Sequence, residues 1–150
     1  MEEQLQEKAV LVGLNITTNV KKIDDIDINE SMAELKELVK AAGAEVLASV
    51  IQNKPARDAA YFIGKGKVEE IRDYCHMLGA TMIVFNDELS GAHMRNIEDV
   101  TGLKVIDRTA LILDIFAQRA LSKEGKLQVE LAQLKYRLPR LYGMGGQMSR

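Results

Sequence analysis

The sequence contains no tryptophan, two prolines and a single cysteine in 150 residues. Because Cys75 has no second cysteine to pair with, the chain cannot form an intramolecular disulfide, which is typical of proteins in a reducing cytoplasm. No apolar run reaches the roughly 18 residues that a membrane-spanning helix requires. The polar start MEEQLQEK is unlike a signal peptide. These absences exclude a disulfide scaffold and predict a cytoplasmic location with no membrane-spanning segment.

The composition is that of a globular domain, with 47% hydrophobic and 28% charged residues. The net charge of −2 is distributed unevenly. Residues 126–150 contain five basic side chains and one acidic side chain, Glu130, so the remaining 125 residues carry −6. A basic C-terminal segment favours an anionic partner, either nucleic acid or a membrane surface. The alternative is a solvated helix end, where cations suit the helix dipole.

Short apolar runs alternate with segments of helical periodicity along most of the chain. The runs are rich in β-branched residues and predict buried strands at 8–14, 44–52, 81–85 and 103–107. Ser31, with Glu34 three residues later, predicts the start of the first helix; the second is expected after Gly66, and Ser90 predicts the start of the third. Glycines predict the ends of these helices, at Gly43, Gly79 and Gly102.

The order βαβαβαβ predicts an α/β fold with a four-stranded parallel sheet and helices on both faces. Parallel strands need crossovers of this length, and ligands of such sheets bind beyond the carboxyl ends of the strands. Those ends are expected at 13–18, 52–57, 86–90 and 107–109.

Residues 108–138 contain no proline and predict one long helix, capped by Asp107 or Thr109. Apolar side chains recur there at alternating steps of four and three, at 113, 117, 120, 127, 131, 134, 138 and 141, with Glu124 as the exception beside Gly125. Pro139 is expected to end the helix. A helix folded on the domain would explain 113–121, whereas the leucines of 127–141 favour a partner helix that is absent from this chain.

Chemistry-bearing motifs are few. Gly64, Lys65, Gly66 and Lys67 precede or open a predicted helix, where free amides attract anions, so they are the candidate nucleotide- or anion-binding site. A flexible turn with solvated lysines is the alternative, and no Walker A motif is present.

Other polar residues give weaker signals. The run 86–88 (Asn-Asp-Glu) could hold a metal or a ribose hydroxyl, but such residues are more commonly helix caps and first-turn acids. His76 and His93 do not form a zinc pattern with one cysteine, and Cys75 is expected in the core rather than as a nucleophile. The residues therefore predict no catalytic centre and no metal site.

Four segments of the chain are similar to the N-terminal part of HflX-type GTPases. They are YFIGKGKVEEI (61–71), FNDELSGAHMRNIE (85–98), the long stretch 105–141 and GMGGQMSR (143–150). The family pattern usually has proline at position 91 and glutamine near 93, where this chain has Gly91 and His93.

The resemblance implies an α/β domain over 1–107, followed over 108–150 by a long helix and a Gly-rich basic loop, the first half of a helical coiled-coil arm. The GTP-binding domain would follow and is absent from this chain, so GTP and Mg²⁺ would belong to the parent GTPase and the chain alone would be inactive as one. Family members associate with the large ribosomal subunit and are linked to the splitting or rescue of stalled ribosomes under stress.

The resemblance also implies which residues meet the ribosome, and the N-terminal part is associated with ATP, for which Gly64–Lys67 is the candidate site. In the family the loop between the arm helices reaches rRNA. The implied contacts are phosphate binding by arginines, base stacking by a tyrosine and close approach at glycines, here Arg137, Arg140, Arg150, Tyr142, Gly143, Gly145 and Gly146. The alternatives from other classes are an independent ATP-binding ATPase domain and a dimerisation module that buries the leucines between two chains.

Overall fold

A computed structural model describes residues 6–18 and 27–144, with side chains as far as Arg140. The described part alternates strands and helices and ends in two consecutive helices. The elements are β1 (Lys8–Ile16), α1 (Ile28–Ala41), β2 (Glu45–Lys54), α2 (Lys65–Leu78), β3 (Met82–Phe85), α3 (Gly91–Thr101), β4 (Lys104–Asp107), α4 (Arg108–Arg119) and α5 (Lys123–Met144). The predicted order βαβαβαβ is confirmed.

The sheet has four parallel strands, as predicted. Their order is β2-β1-β3-β4. Leu11 of β1 is paired with Ser49 of β2 on one side and with Val84 of β3 on the other. From β2 the chain crosses over β1 and adds β3 beyond it, so the direction of the connections reverses between β1 and β3. In sheets of this kind ligands bind at such a reversal, outside the carboxyl ends of the strands.

Helices cover both faces of the sheet, as predicted. On one face, α2 and α3 bury their apolar side chains in a cluster that includes Val68, Ile71, Cys75 and Ile97. On the other face, α1 and α4 do the same with Met32, Leu35, Val39, Leu111 and Ile115. Burial raises the pKa of the Cys75 thiol to about 11. The cysteine is therefore a core residue, and at neutral pH it is an inert thiol rather than a nucleophile.

The start of α3 and the ends of α2 and α3 agree with the local signals, whereas the start of α1 does not. Ser90 caps α3, and His93 completes the capping box; Gly79 and Gly102 end α2 and α3 with positive φ angles. The prediction that Ser31 caps α1 is wrong. Asp27 is the cap, because its side chain accepts a hydrogen bond from the Asn29 amide at 3.1 Å, and the helix begins four residues earlier than Ser31 suggested.

The prediction of one long C-terminal helix is also wrong. α4 ends at Arg119, Ala120 is extended (φ −70°, ψ 120°), and α5 starts at Lys123. The hydroxyl of Ser122 accepts a hydrogen bond from the Gly125 amide at 2.9 Å, which caps the new helix. Pro139 does not end α5, which continues to Met144. The residues predicted to open a Gly-rich loop, from Arg140 to Met144, are therefore helical.

α5 turns back on the domain rather than extending from it as a continuation of α4. It packs against α3 on one face of the sheet and α4 on the other, and so lies beside the edge strand β4. The amide of Gln133 on α5 donates to Asp114 of α4 at 3.0 Å. The expectation of a single rod projecting from residue 108 is thus overturned by the break at 120–122.

One side of α5 is left without a partner in the described part of the chain. Its leucine face, defined as Leu127, Leu131, Leu134 and Leu138, is 44–57% exposed. The seam predicted from the heptad spacing is interrupted at 120–122, and a coiled-coil arm is not confirmed. None of the helices among the described residues combines the length and the apolar character that a bilayer crossing demands.

Candidate functional site at the carboxyl edge of the sheet

The carboxylate of Asp107, at the end of β4, organises the outer half of this edge. It is fully buried and accepts three hydrogen bonds. Oδ1 accepts from the Ala110 amide at 3.0 Å, which caps α4, and Oδ2 accepts from the Leu89 amide at 2.9 Å and from the Tyr136 hydroxyl of α5. A buried carboxylate needs such donors to offset its lost hydration. Asp107 therefore joins β4, the loop before α3, and both C-terminal helices.

Tyr136 is held in the neutral state by this position. Burial, followed by the hydrogen bond and the charge of Asp107, raises the pKa of its hydroxyl well above the usual value, while Arg140 lowers it. Tyr136 therefore acts as a hydrogen-bond donor to Asp107 at all physiological pH values.

Arg140 lies on the same face of α5, one turn further on, and its side chain is only 16% exposed. Nε donates to the Leu89 carbonyl at 3.1 Å, Nη1 to the Tyr136 carbonyl at 2.9 Å and Nη2 to Glu88 Oε1 at 2.8 Å. The guanidinium carbon also lies 3.3 Å from the centroid of the Tyr136 ring. Arg140 was predicted to lie in a loop, but it is a helical residue with its donors engaged inside the domain. Its contact with rRNA stays a prediction.

Arg108 makes the equivalent connection on the other face. Its Nη1 donates to Asn86 Oδ1 at 3.0 Å and to Ser31 Oγ at 3.3 Å, and its Nη2 pairs with Glu34 at 3.0 Å. The Asn86 amide also donates to Ser31 Oγ at 2.8 Å. Sequence reasoning missed Arg108, because its partners come from α1 and from the loop after β3, distant parts of the chain that leave no spacing signal.

Asp87 lies at the reversal between β1 and β3. Its Oδ2 accepts a hydrogen bond from the Leu14 amide at 3.4 Å. Burial raises the pKa of its carboxyl, and the Leu14 amide and the Arg57 charge lower it by less. Each member of the predicted 86–88 run thus has a different partner: Asn86 binds Arg108, Asp87 binds Leu14 and Glu88 binds Arg140. No cluster of three or more His, Cys, Asp or Glu is placed to hold a metal ion within the ranges 6–18 and 27–144.

The Gly64–Lys67 turn lies at the start of α2, as predicted, although the helix begins at Lys65. The Gly64 amide already donates to Gln52 Oε1 at 2.9 Å, and Lys67 pairs with Glu70 at 3.3 Å. Lys65 and Gly66 are exposed. Nucleotide or anion binding by this turn stays a prediction.

The residues predicted for rRNA divide into two groups. Arg137 is exposed on α5 and Gly143 lies within the same helix, whereas Gly145, Gly146, Arg150 and the side chain of Tyr142 fall outside what the structure describes. Between α5 and the sheet lies a cleft of about 290 Å³, lined by Lys104 and Ile106 of β4 and by Gln133, Tyr136 and Arg137. α5 is therefore not packed tightly along its whole length.

Comparison with known families assigns the chain. The family model described as GTP-binding GTPase N-terminal matches residues 29–117, and the one described as GTP-binding GTPase Middle Region matches residues 119–150. The chain belongs to the HflX family of GTPases. The two matches meet at the end of α4, so α5 falls in the middle region.

Curated relatives agree with this assignment. GTPase HflX of Caldanaerobacter subterraneus is 51% identical over 145 residues, which is 97% of this chain and 32% of that protein. GTPase HflX of Escherichia coli is 45% identical over 135 residues, covering 90% of this chain and 30% of that protein. The HflX chain described here therefore spans about a third of the length of these relatives.

Solved structures show the same fold. A GTP-binding protein from Sulfolobus solfataricus in complex with GDP superimposes with a TM-score of 0.65 at 25% identity, covering 96% of this chain and 40% of that one. A structure of the SsGBP and GDP complex gives a TM-score of 0.70 at 26% identity, and the match covers 95% of this chain and 39% of that one. The HflX resemblance of the sequence is confirmed.

Proposed function

We propose that this chain is the ribosome-binding and regulatory N-terminal domain of an HflX GTPase that acts on stalled ribosomes through the large subunit. The observation that supports this best is the pair of family matches, over residues 29–117 and 119–150. GTP hydrolysis and Mg²⁺ binding are assigned to the GTP-binding domain of the longer protein, because no Walker A motif occurs in this sequence. Cytoplasmic location follows from the same role.

The proposed rRNA-binding surface is the outer side and C-terminal end of α5. Lys126, Lys135 and Arg137 are exposed there, and Arg137 has no carboxylate partner among the described residues. Arg150 would add a phosphate contact, Tyr142 would stack on an unpaired base, and the glycines at 143, 145 and 146 would let the backbone approach RNA. Arg140 would serve as an anchor of α5 in the docked position rather than as a direct contact.

The leucine face supports the arm that the family resemblance implies. Its four side chains lie on one side of α5 and are about half exposed, which is unfavourable unless another element covers them. We propose that a further helix of the longer HflX protein packs there. A second copy of the chain is the rival occupant, and a strictly monomeric full-length protein would remove that rival.

The test compares two charge reversals in the full-length protein. Arg137→Glu should weaken binding to large ribosomal subunits by about tenfold and reduce its salt dependence, because a phosphate contact is lost. Lys36→Glu, at an exposed position on α1, is the matched control and should bind like wild type. Equal affinities for both variants and wild type, measured by co-sedimentation at several salt concentrations, would overturn the proposed surface.

The alternative is that the chain is an independent ATP-binding enzyme. The geometry of the Gly64–Lys67 turn, its candidate ATP site, does not support this alternative further. Its first amide and one of its two lysines already have partners within the domain. Calorimetric titration of the chain with ATP tests it, and absence of heat would remove it.

A further inference from the structure

The contacts that hold the C-terminal half of α5 are concentrated at one place. Tyr136 and Arg140 meet Asp107, Glu88 and Leu89 at the carboxyl edge of β4. The Gln133 amide adds one hydrogen bond to Asp114 of α4. The rest of α5 borders the 290 Å³ cleft or exposes its leucine face, and no side chain between 123 and 140 is fully buried. The position of the helix therefore depends on a few polar groups rather than on an extensive apolar interface.

Gly91, the first residue of α3, allows the closest approach in this region. A Cβ atom at position 91 would collide with the carbonyl oxygen of Arg140 and would lie 2.8 Å and 2.9 Å from its carbonyl carbon and Cα. These are backbone atoms, so no side-chain rotation can relieve the overlap. Any larger residue at 91 must move α5 or α3.

We propose that the edge formed by Glu88, Leu89, Gly91 and Asp107 is a docking seat for the 136–140 turn of α5, and that docking withholds the Arg140 cation from anionic ligands. In the docked position, Glu88 pairs with the Arg140 guanidinium, and the Leu89 carbonyl accepts a hydrogen bond from Nε of the same guanidinium. When α5 leaves the seat, Arg140 joins Arg137 on the basic end of the helix. A polyanion that recruits Arg140 therefore competes with the seat, and by linkage undocking strengthens polyanion binding.

The regulatory part of this inference rests on the proposed RNA-binding role of α5, but the seat itself does not. Glu88 is 64% exposed, so its ion pair with Arg140 is of the kind that contributes weakly and can be exchanged for another anion. Asp107 keeps its bonds to Leu89 and Ala110 after Tyr136 departs, so the α/β layer survives undocking.

The first experiment measures hydrogen exchange in the whole chain. Gly91→Ala should raise exchange of the α5 amides from Gln133 to Leu138 and of the Arg140 amide at least tenfold, while leaving β1 and β3 protected. Gly66→Ala is the matched control, since it also lies in the first turn of a helix and an added Cβ there meets nothing within 4 Å. Unchanged exchange in Gly91→Ala would overturn the seat. Tyr136→Phe provides a second variant that keeps the backbone intact and should show the same change to a smaller degree.

The second experiment tests the competition with a 20-nucleotide single-stranded RNA as the probe. Gly91→Ala and Glu88→Gln should each bind it about threefold more tightly than wild type, as one added phosphate contact predicts. The gain should disappear when Arg140→Gln is added. Equal affinity of wild type and both variants, including no binding by any of them, would overturn the withheld-cation proposal. The Arg137→Glu ribosome assay is a separate measurement, so failure of the seat and failure of the proposed function are distinguishable.

Discussion

The α/β layer and α5 are stabilised in different ways. In the layer, the central strand β1 has six consecutive buried residues, and both faces of the sheet are covered by apolar helix surfaces. α5 has no fully buried side chain between 123 and 140, and it is held through hydrogen bonds and ion pairs to Asp107, Glu88, Leu89 and Asp114. The stability of the layer should therefore depend on the volume of its buried side chains. The position of α5 should depend instead on single polar groups and on the absence of a Cβ atom at Gly91.

The largest expected effect comes from truncating the core. Leu11→Ala, in β1, should lower the free energy of unfolding by about 2–5 kcal/mol, because the side chain is fully buried between two strands and a helix layer. Leu131→Ala, on the exposed leucine face, should change it by less than about 0.5 kcal/mol. Urea denaturation of both variants checks this, and a similar loss in the two would mean that the leucine face is covered in the chain itself.

A smaller loss is expected at Asp107. Asp107→Ala leaves the Leu89 and Ala110 amides and the Tyr136 hydroxyl without their acceptor, so the free energy of unfolding should fall by about 2–3 kcal/mol. Asp73→Ala, at an exposed aspartate that pairs with Arg72, is the control and should be nearly neutral. Thermal unfolding measures both. If Asp107→Ala loses no more stability than Asp73→Ala, the Asp107 carboxylate does not contribute to holding α5 on the α/β layer.

The smallest expected effect is a gain in the free energy of unfolding when Asp87 is replaced by asparagine, and the size of this gain depends on pH. Burial raises the pKa of this carboxyl, so the folded state disfavours its ionised form, and wild type loses stability as pH rises from about 4 through the raised pKa. Asp87→Asn keeps an acceptor for the Leu14 amide and removes the charge. It should be more stable at pH 7 by less than about 1 kcal/mol and should lose this advantage near pH 4.

Denaturation of wild type and Asp87→Asn at pH 4, 5.5 and 7 measures that difference. A variant less stable than wild type at pH 7 would mean that the Leu14 hydrogen bond to the carboxylate outweighs its burial.

The layer was predictable because its signals are local. Apolar runs marked the strands, Ser90 marked the start of α3, and Gly79 and Gly102 supplied the positive φ angles that end two helices. At α1 the sequence predicts only Ser31 as the cap, whereas Asp27, four residues earlier, provides the side-chain oxygen that caps the helix.

The C-terminal helices were not predictable in the same way. Ala120 and Leu121 continue the helical periodicity, and the one irregularity of the seam, Glu124 beside Gly125, lies just after the break rather than at it. The break returns α5 to partners at Asp107 and Asp114. Pro139 suggested a helix end, yet Arg140 is fixed by Leu89 and Glu88 from distant parts of the chain. Asp107 and Tyr136 are 29 residues apart, a separation that carries no sequence signal.

The position of α5 beside β4 has a consequence for the behaviour of the protein in the cell. An edge strand offers unpaired backbone groups to any other extended chain, and such contacts seed aggregation. At β4, α5 lies beside the edge because it packs against α3 on one face of the sheet and against α4 on the other. A substitution that frees α5 would therefore expose the edge of β4 to other chains. We expect the first sign of this to be poor recovery of soluble protein after heating.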